Sequence, residues 1–79
     1  MPREIKTINM IRTLTNHDLK SLAKELFHLE EVGVYPKNSK LNILARDITL
    51  ELDGIHLSHA QEMVNSEVLR VIARKFVNG

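Results

Sequence analysis

The sequence contains no cysteine, only three glycines and no long uninterrupted apolar run. Without cysteine the chain can form neither a disulfide framework nor a thiolate zinc site, and this favours a reducing compartment such as the cytoplasm. No stretch approaches the roughly 20 apolar residues that a membrane span requires, and the first ten residues lack the apolar core of a signal peptide. We therefore expect a cytoplasmic protein with no membrane association.

Neither sign of charge dominates. Eleven Lys and Arg residues against ten Asp and Glu residues give a formal net charge of +1, and the basic residues form no tail. Proteins that depend on phosphate contacts for affinity usually have a denser cluster of Lys and Arg. Nucleic acid is therefore not the first partner that the sequence predicts.

The motifs of common catalytic sites are also missing. There is no glycine-rich phosphate loop, no nucleophile elbow and no metalloprotease pattern. His56 and His59 lie three residues apart, and Asp53 and Glu62 continue the same step. A helix break expected between Asp53 and Ser58 keeps the four from sharing one face, so solvated histidines are favoured over a zinc site. The sequence predicts no enzyme, no cofactor and no metal.

The sequence does contain enough apolar residues for a folded domain. Its 79 residues are 43% hydrophobic and 27% charged, a composition typical of globular rather than disordered chains. Apolar residues recur at helical spacing in four segments. We predict a single all-α domain over residues 1–79, a compact bundle of three to four helices with the last helix longest. The predicted helices cover residues 4–14, 16–32, 39–53 and 58–77.

The second segment has the clearest helix signals. Thr15 or Asn16 can cap its start and Gly33 can end it. Its predicted core face consists of Leu19, Leu22, Ala23, Leu26, Phe27 and Leu29.

Residues 47–59, DITLELDGIHLSH, fit two structures. Alternating apolar residues before Asp53 and Gly54 favour a β-hairpin. The helical alternative is stronger because Leu41, Leu44, Ala45, Ile48 and Leu52 share one face of a helix. In this interpretation Gly54 is the left-handed cap of the third helix, and Ser58 and Gln61 form the capping box of the fourth.

The last helix has more apolar surface than one side can bury. From Val68 onward its apolar arc spans roughly 200°, whereas a surface helix needs roughly 100°. The helix is therefore either central to the monomer or shared in a two-fold homodimer, and we favour the homodimer. The predicted dimer interface consists of Leu69, Ile72, Ala73, Phe76 and Val77.

A second apolar surface is predicted on the third helix. Ile43 and Leu50 are seven residues apart on the side opposite the core stripe, and Arg46 and Asp47 flank them. Either the first helix covers the two aliphatic residues or another protein does. We predict that these four residues bind a partner protein. By elimination, the chain is expected to be a small non-enzymatic regulator, adaptor or inhibitor.

A DNA-binding transcriptional regulator is the alternative function. Arg70, Arg74 and Lys75 give the last helix a basic cluster that could contact phosphates beside a major groove. However, neither candidate corner has the tight turn of a helix-turn-helix, and Glu67 is spaced to pair with Arg70. The apolar excess therefore predicts a protein partner more strongly than the basic cluster predicts DNA.

Overall fold

The computed structural model describes residues 4–77, which fold into four α-helices without a β-strand. Helix α1 covers Lys6–Arg12, α2 covers Asn16–Val32, α3 covers Lys40–Glu51 and α4 covers Leu57–Phe76. The predicted all-α class is confirmed, and α4 is the longest helix with 20 residues. None of the four helices is both long and apolar enough to cross a membrane.

Helix α2 begins and ends where the local signals predict. The Thr15 hydroxyl accepts a hydrogen bond from the Asp18 amide at 3.2 Å and so satisfies one of the N–H groups that a helix start leaves free. At the other end Gly33 has φ +83°, a left-handed conformation that glycine adopts readily. Its amide donates to the Leu29 carbonyl at 2.8 Å.

Residues 47–59 form the end of α3, a tight corner and the start of α4, so the helical prediction is confirmed and the hairpin is wrong. The predicted cap at Gly54 is also wrong. Helix α3 ends at Glu51, and Leu52 is extended, with φ −116° and ψ 108°. Gly54 does adopt a left-handed φ of +83°, but it does so in the turn beyond the helix.

The predicted capping box at the start of α4 does not form. The helix begins at Leu57, and the N-cap residue His56 makes no side-chain hydrogen bond there. Ser58 therefore lies inside the first turn. The Gln61 amide instead donates to Asn42 Oδ1 on α3 at 2.9 Å, so a contact between helices replaces the local one.

The two later helices form the centre of the fold, because α3 and α4 each contact all the other helices. The molecule is flat, with extents of 32 × 30 × 15 Å. Since packed helix axes lie about 8–10 Å apart, the short dimension accommodates two layers of helices, and each helix retains an outer face. The buried apolar core consists of Ile11, Leu19, Leu22, Leu41, Leu44, Ala45, Ile48, Ala60, Val64, Val68 and Val71.

Helix α1 obtains its N-terminal cap from another helix. Ile5 occupies the N-cap position and offers no side-chain hydrogen bond. Glu51 of α3 accepts hydrogen bonds from the Lys6 amide at 2.7 Å, the Thr7 amide at 3.0 Å and the Thr7 hydroxyl at 2.5 Å. A carboxylate at this position also interacts favourably with the helix dipole. Because a helix of seven residues has little intrinsic stability, this contact helps to fix α1 on α3.

The N-terminus of α3 is held by α2 in a similar way. Glu25 Oε1 accepts hydrogen bonds from the Ser39 hydroxyl at 2.6 Å and from the Leu41 amide at 3.1 Å. The second oxygen, Oε2, accepts from the Lys40 amide at 3.0 Å. Ser39 also acts as the local cap by accepting a hydrogen bond from the Asn42 amide. The start of α3 is therefore anchored on the middle of α2.

Glu51 predicts an acid-dependent loss of stability. The Thr7 hydroxyl, followed by the amides of Thr7 and Lys6, lowers the pKa of the Glu51 carboxyl below its ordinary value of 4.5, against an opposing effect of burial. A lowered pKa in the folded state stabilises the fold above the unfolded pKa, and this contribution is lost as pH falls through the folded pKa. We expect Glu51→Gln to unfold at lower urea concentration at neutral pH. This difference from the wild type should shrink as pH falls below about 4.5.

Urea titrations followed by circular dichroism over a series of pH values would measure both effects. Glu62→Gln is a matched control, because no side-chain hydrogen bond or ion pair involves Glu62 among the described residues. Equal stability of the wild type and Glu51→Gln at neutral pH would show that Glu51 does not hold α1 in place.

Candidate protein-binding surfaces

The predicted partner-binding stripe lies on the outer side of α3. Ile43 is 54% exposed and Leu50 is 82% exposed, whereas the core stripe of the same helix is buried. Arg46 is exposed and Asp47 is half-buried beside them. Helix α1 contacts α3 but leaves both aliphatic side chains open to solvent. The bundle therefore does not close over this stripe, and we call these four residues the α3 face.

A surface groove of about 270 Å³ lies beside the α3 face, between α1, α2 and α3. Ile43 and Asp47 form part of its lining, so two of the four residues of the α3 face border this groove. Leu50 lies outside the groove, on the exposed surface further along α3. The other lining residues are Met10, Leu14, Asp18, Leu22, Lys40 and Leu44.

The groove combines apolar side chains with a few charged groups. Asp18, Asp47 and Lys40 supply charge next to aliphatic residues from three helices. Protein interfaces commonly have an apolar centre and a polar rim, and most of their affinity comes from a few side chains that fill such hollows. The groove can therefore receive an aliphatic side chain between its charged groups.

The apolar C-terminal half of α4 is divided between the core and the surface. Val68 and Val71 are buried against the other helices, so the inner side of α4 is central to the monomer. The outer side carries the five residues predicted for a dimer interface. Of these, Leu69, Ala73, Phe76 and Val77 are exposed and Ile72 is half-buried.

Helix α2 contributes an exposed aromatic residue that the sequence analysis placed in the core. Phe27 is 68% exposed, so that assignment is wrong. Consecutive residues of a helix are rotated by about 100° about its axis. Phe27 therefore points outward although its neighbour Leu26 packs against the core. The predicted face of six apolar residues was wider than two neighbouring helices can cover. A narrower stripe centred on Leu19 and Leu22 would have left Phe27 outside.

Phe27 lines a groove of about 490 Å³ between α2 and α4, which we call the α2–α4 groove. Leu69 and Ile72 from the predicted dimer interface form part of the opposite wall. The remaining lining residues are Ala23, Leu26, Leu29, Glu30 and Asn65. The structure thus joins two apolar surfaces that lie some forty residues apart in the sequence.

Two hydrogen bonds define the direction of the helices that border this groove. Lys75 Nζ near the end of α4 donates to the carbonyl of Leu14, just before α2. Asn65 Nδ2 in the middle of α4 donates to the hydroxyl of Tyr35, just after α2. The two helices are therefore antiparallel, and the C-terminal end of α4 lies beside the start of α2.

The basic residues of the alternative DNA-binding function form a small exposed cluster beside a buried carboxylate. Arg70 Nη1 lies 3.7 Å from Glu67 Oε1, and Arg12 Nε lies 3.1 Å from Glu67 Oε2. The Glu67 side chain is only 5% exposed, and a carboxylate so buried requires cationic partners. Lys75 donates to a backbone carbonyl, and the side chains of Arg70, Arg74 and Lys75 are all exposed. The cluster therefore presents three cations next to the Glu67 carboxylate.

The histidines near the start of α4 do not come together as a metal site. His59 and Glu62 line an open groove of about 400 Å³ between α1 and α4, together with Glu67 and Arg70. His56 precedes the helix as its N-cap residue. Within residues 4–77 no three or more His, Cys, Asp or Glu side chains are grouped so that they could hold a metal ion.

The small size of the basic cluster predicts how the protein responds to DNA. We expect Arg70→Ala combined with Arg74→Ala to leave the affinity for mixed-sequence duplex DNA unchanged, because three basic residues beside the Glu67 carboxylate provide few phosphate contacts. Fluorescence anisotropy at low and at raised salt concentration would measure this affinity. Tight binding that weakens steeply with salt and disappears in the double variant would instead favour the DNA-binding function.

Comparison with known proteins identifies no relative of this chain. No family model matches the sequence, and neither the curated proteins nor the solved structures give a significant match. The α3 face and the α2–α4 groove are therefore the features on which a functional assignment can rest.

Proposed function

We propose that this chain is a small non-enzymatic regulator, adaptor or inhibitor that binds another protein through the α3 face and associates with itself as a homodimer. Binding through the α3 face is supported by the exposure of Ile43 and Leu50 beside an apolar groove. Isolated aliphatic residues on a surface are common, but two in register next to a groove form a patch of the kind found at interaction sites.

The two aliphatic residues could supply much of the affinity for a partner. Full burial of a leucine or isoleucine side chain contributes roughly 1.5 to 3 kcal/mol relative to exposure in water. Leu50 is 82% exposed, so nearly all of this contribution is still available to a binding event. A few well-packed side chains typically carry most of the binding energy of an interface, while the surrounding contacts exclude water.

The charged neighbours favour a particular class of partner. Asp18 and Asp47 place two carboxylates at the groove, and Lys40 and Arg46 place two cations at the groove and the α3 face. A partner with residues of both charge signs around an aliphatic anchor would complement this arrangement. Such complementarity mainly raises the association rate and sets the orientation of the complex.

The exposed side of α4 supports the second part of the proposal. Phe76 is 49% exposed and Leu69 is 56% exposed, in a flat molecule with a thin core. A domain of this size buries a smaller fraction of its surface than a larger domain, so a second interface would add stability. Symmetric homodimers are the commonest way in which proteins cover such a face.

The α3 face can be tested without disturbing the core. We expect Ile43→Asn with Leu50→Gln to retain the helical circular dichroism signal and the thermal midpoint, because both positions are exposed. The double variant should lose the proteins that the wild type captures from a lysate of its native host. Quantitative mass spectrometry of the captured proteins would measure the loss.

A control variant separates the α3 face from apolar exposure in general. Val32→Asn with Val34→Gln changes two side chains that are each 59% exposed near the end of α2. This variant should capture the same proteins as the wild type. If the Ile43 and Leu50 variant captures them equally well, the α3 face is not the binding site.

A further inference from the structure

We infer that the outer face of α2 forms a two-fold interface with a second copy of this chain, in which the two α2 helices pair antiparallel about Phe27. The inference rests on the proposed self-association and identifies the surface that mediates it. It adds α2 to the residues of α4 that the sequence predicted for the dimer.

The apolar part of this interface consists of a side chain and a groove that can receive it. Phe27 is 68% exposed at the edge of the α2–α4 groove, and Leu69 is 56% exposed on the opposite wall. In a two-fold dimer the same patch is used on both copies, so each copy would insert its Phe27 beside the groove of the other. Aromatic side chains in hollows of this kind are typical anchors of protein interfaces.

The charges along the outer side of α2 change sign at Phe27. Lys20 and Lys24 precede it, Glu30 and Glu31 follow it, and all four side chains are exposed. At about 100° per residue, Lys24 and Glu31 lie on the same flank of Phe27, three positions before it and four positions after it. When two helices run antiparallel about Phe27, the two-fold axis keeps this flank on one side, so Lys24 of each copy would lie opposite Glu31 of the other, and the contact would occur twice. A parallel pairing would instead place lysine beside lysine.

The same charges are poorly placed for an isolated α2. Glu30 and Glu31 occupy the last turn, where the negative end of the helix dipole repels a carboxylate, and no basic residue lies in that turn. Neither glutamate forms an ion pair among residues 4–77. An antiparallel copy would bring its lysines to the C-terminal end of α2 and its glutamates to the N-terminal half, and so relieve this unfavourable arrangement.

Charge reversal at two positions tests the pairing directly. Residues 24 and 31 are seven positions apart, two turns of the helix, and therefore do not contact each other within one helix. We expect Lys24→Glu and Glu31→Lys each to weaken self-association by about tenfold, because each change turns two attractive contacts per dimer into repulsive ones. The double variant Lys24→Glu/Glu31→Lys should recover the wild-type dissociation constant. Sedimentation equilibrium would measure all four proteins.

Mixing the two single variants gives the sharpest result. One variant carries a negative charge at both positions and the other carries a positive charge at both. An equimolar mixture should form heterodimers at concentrations where each variant alone is monomeric. Added salt should weaken this association, because exposed ion pairs are screened.

The role of Phe27 is tested with a matched apolar control. Phe27→Gln should abolish self-association, whereas Leu50→Gln should leave it intact, although Leu50 is the more exposed of the two at 82%. Circular dichroism of both variants should match the wild type, because neither residue belongs to the buried core.

The outcomes separate this inference from the proposal on which it rests. If the wild type is a dimer and the charge variants dimerise equally well, the α2 pairing is wrong while self-association stands. A wild type that is monomeric throughout the micromolar range would overturn both the pairing and the homodimer. Binding of another protein through the α3 face is tested separately, by the variant Ile43→Asn with Leu50→Gln.

Discussion

The fold depends on carboxylates that reach from one helix to the N-terminus of another. A helix start leaves N–H groups without partners, and local side chains such as Ser or Thr usually accept hydrogen bonds from them. Here Glu51 performs this function for α1, and Glu25 reinforces the start of α3. These contacts restrain both the position and the direction of each helix, because the carboxylate must face the end of the helix it caps. Glu67 adds a third long-range contact by pairing with Arg12 on α1.

Such contacts matter most in a chain whose hydrophobic core is small. Helix α1 has seven residues and contributes one fully buried large apolar side chain, Ile11. Burial of one side chain offsets only part of the entropy lost when the helix is ordered. The hydrogen bonds to Glu51 and the ion pair between Arg12 and Glu67 therefore determine where α1 lies. In that position α1 covers part of α3 and α4 and leaves the α3 face open.

The sequence predicted features that depend on local chemistry and failed where distant residues compete. The bounds of α2 were correct because Thr15 and Gly33 act on their own neighbours. The capping box at Ser58 was wrong because Gln61 bonds to Asn42 on another helix. The cap at Gly54 was misplaced because the backbone already becomes extended at Leu52. The contacts of Glu25 and Glu51 could not have been predicted, since each joins residues that only the folded chain brings together.

The candidate surfaces show the same contrast between features that the local sequence determines and features that depend on packing between helices. Helical spacing identified Ile43 and Leu50 as lying opposite the core of α3, because periodicity alone fixes which side of a helix a residue occupies. The exposure of Phe27 depended instead on how much of α2 its neighbours cover, and the width of an apolar face does not reveal this. The α2–α4 groove is likewise a product of packing, since its two walls come from distant segments.

The separation of the two surfaces has a consequence for binding strength. The groove beside the α3 face and the α2–α4 groove share no residue. A dimer formed through α2 and α4 would therefore leave an α3 face free on each copy. Two linked copies of one site bind a partner that is itself repeated far more tightly than either copy alone, provided that the geometry allows both to engage. A small protein with a modest contact area on each copy could thereby act as an effective inhibitor or adaptor of a symmetric target.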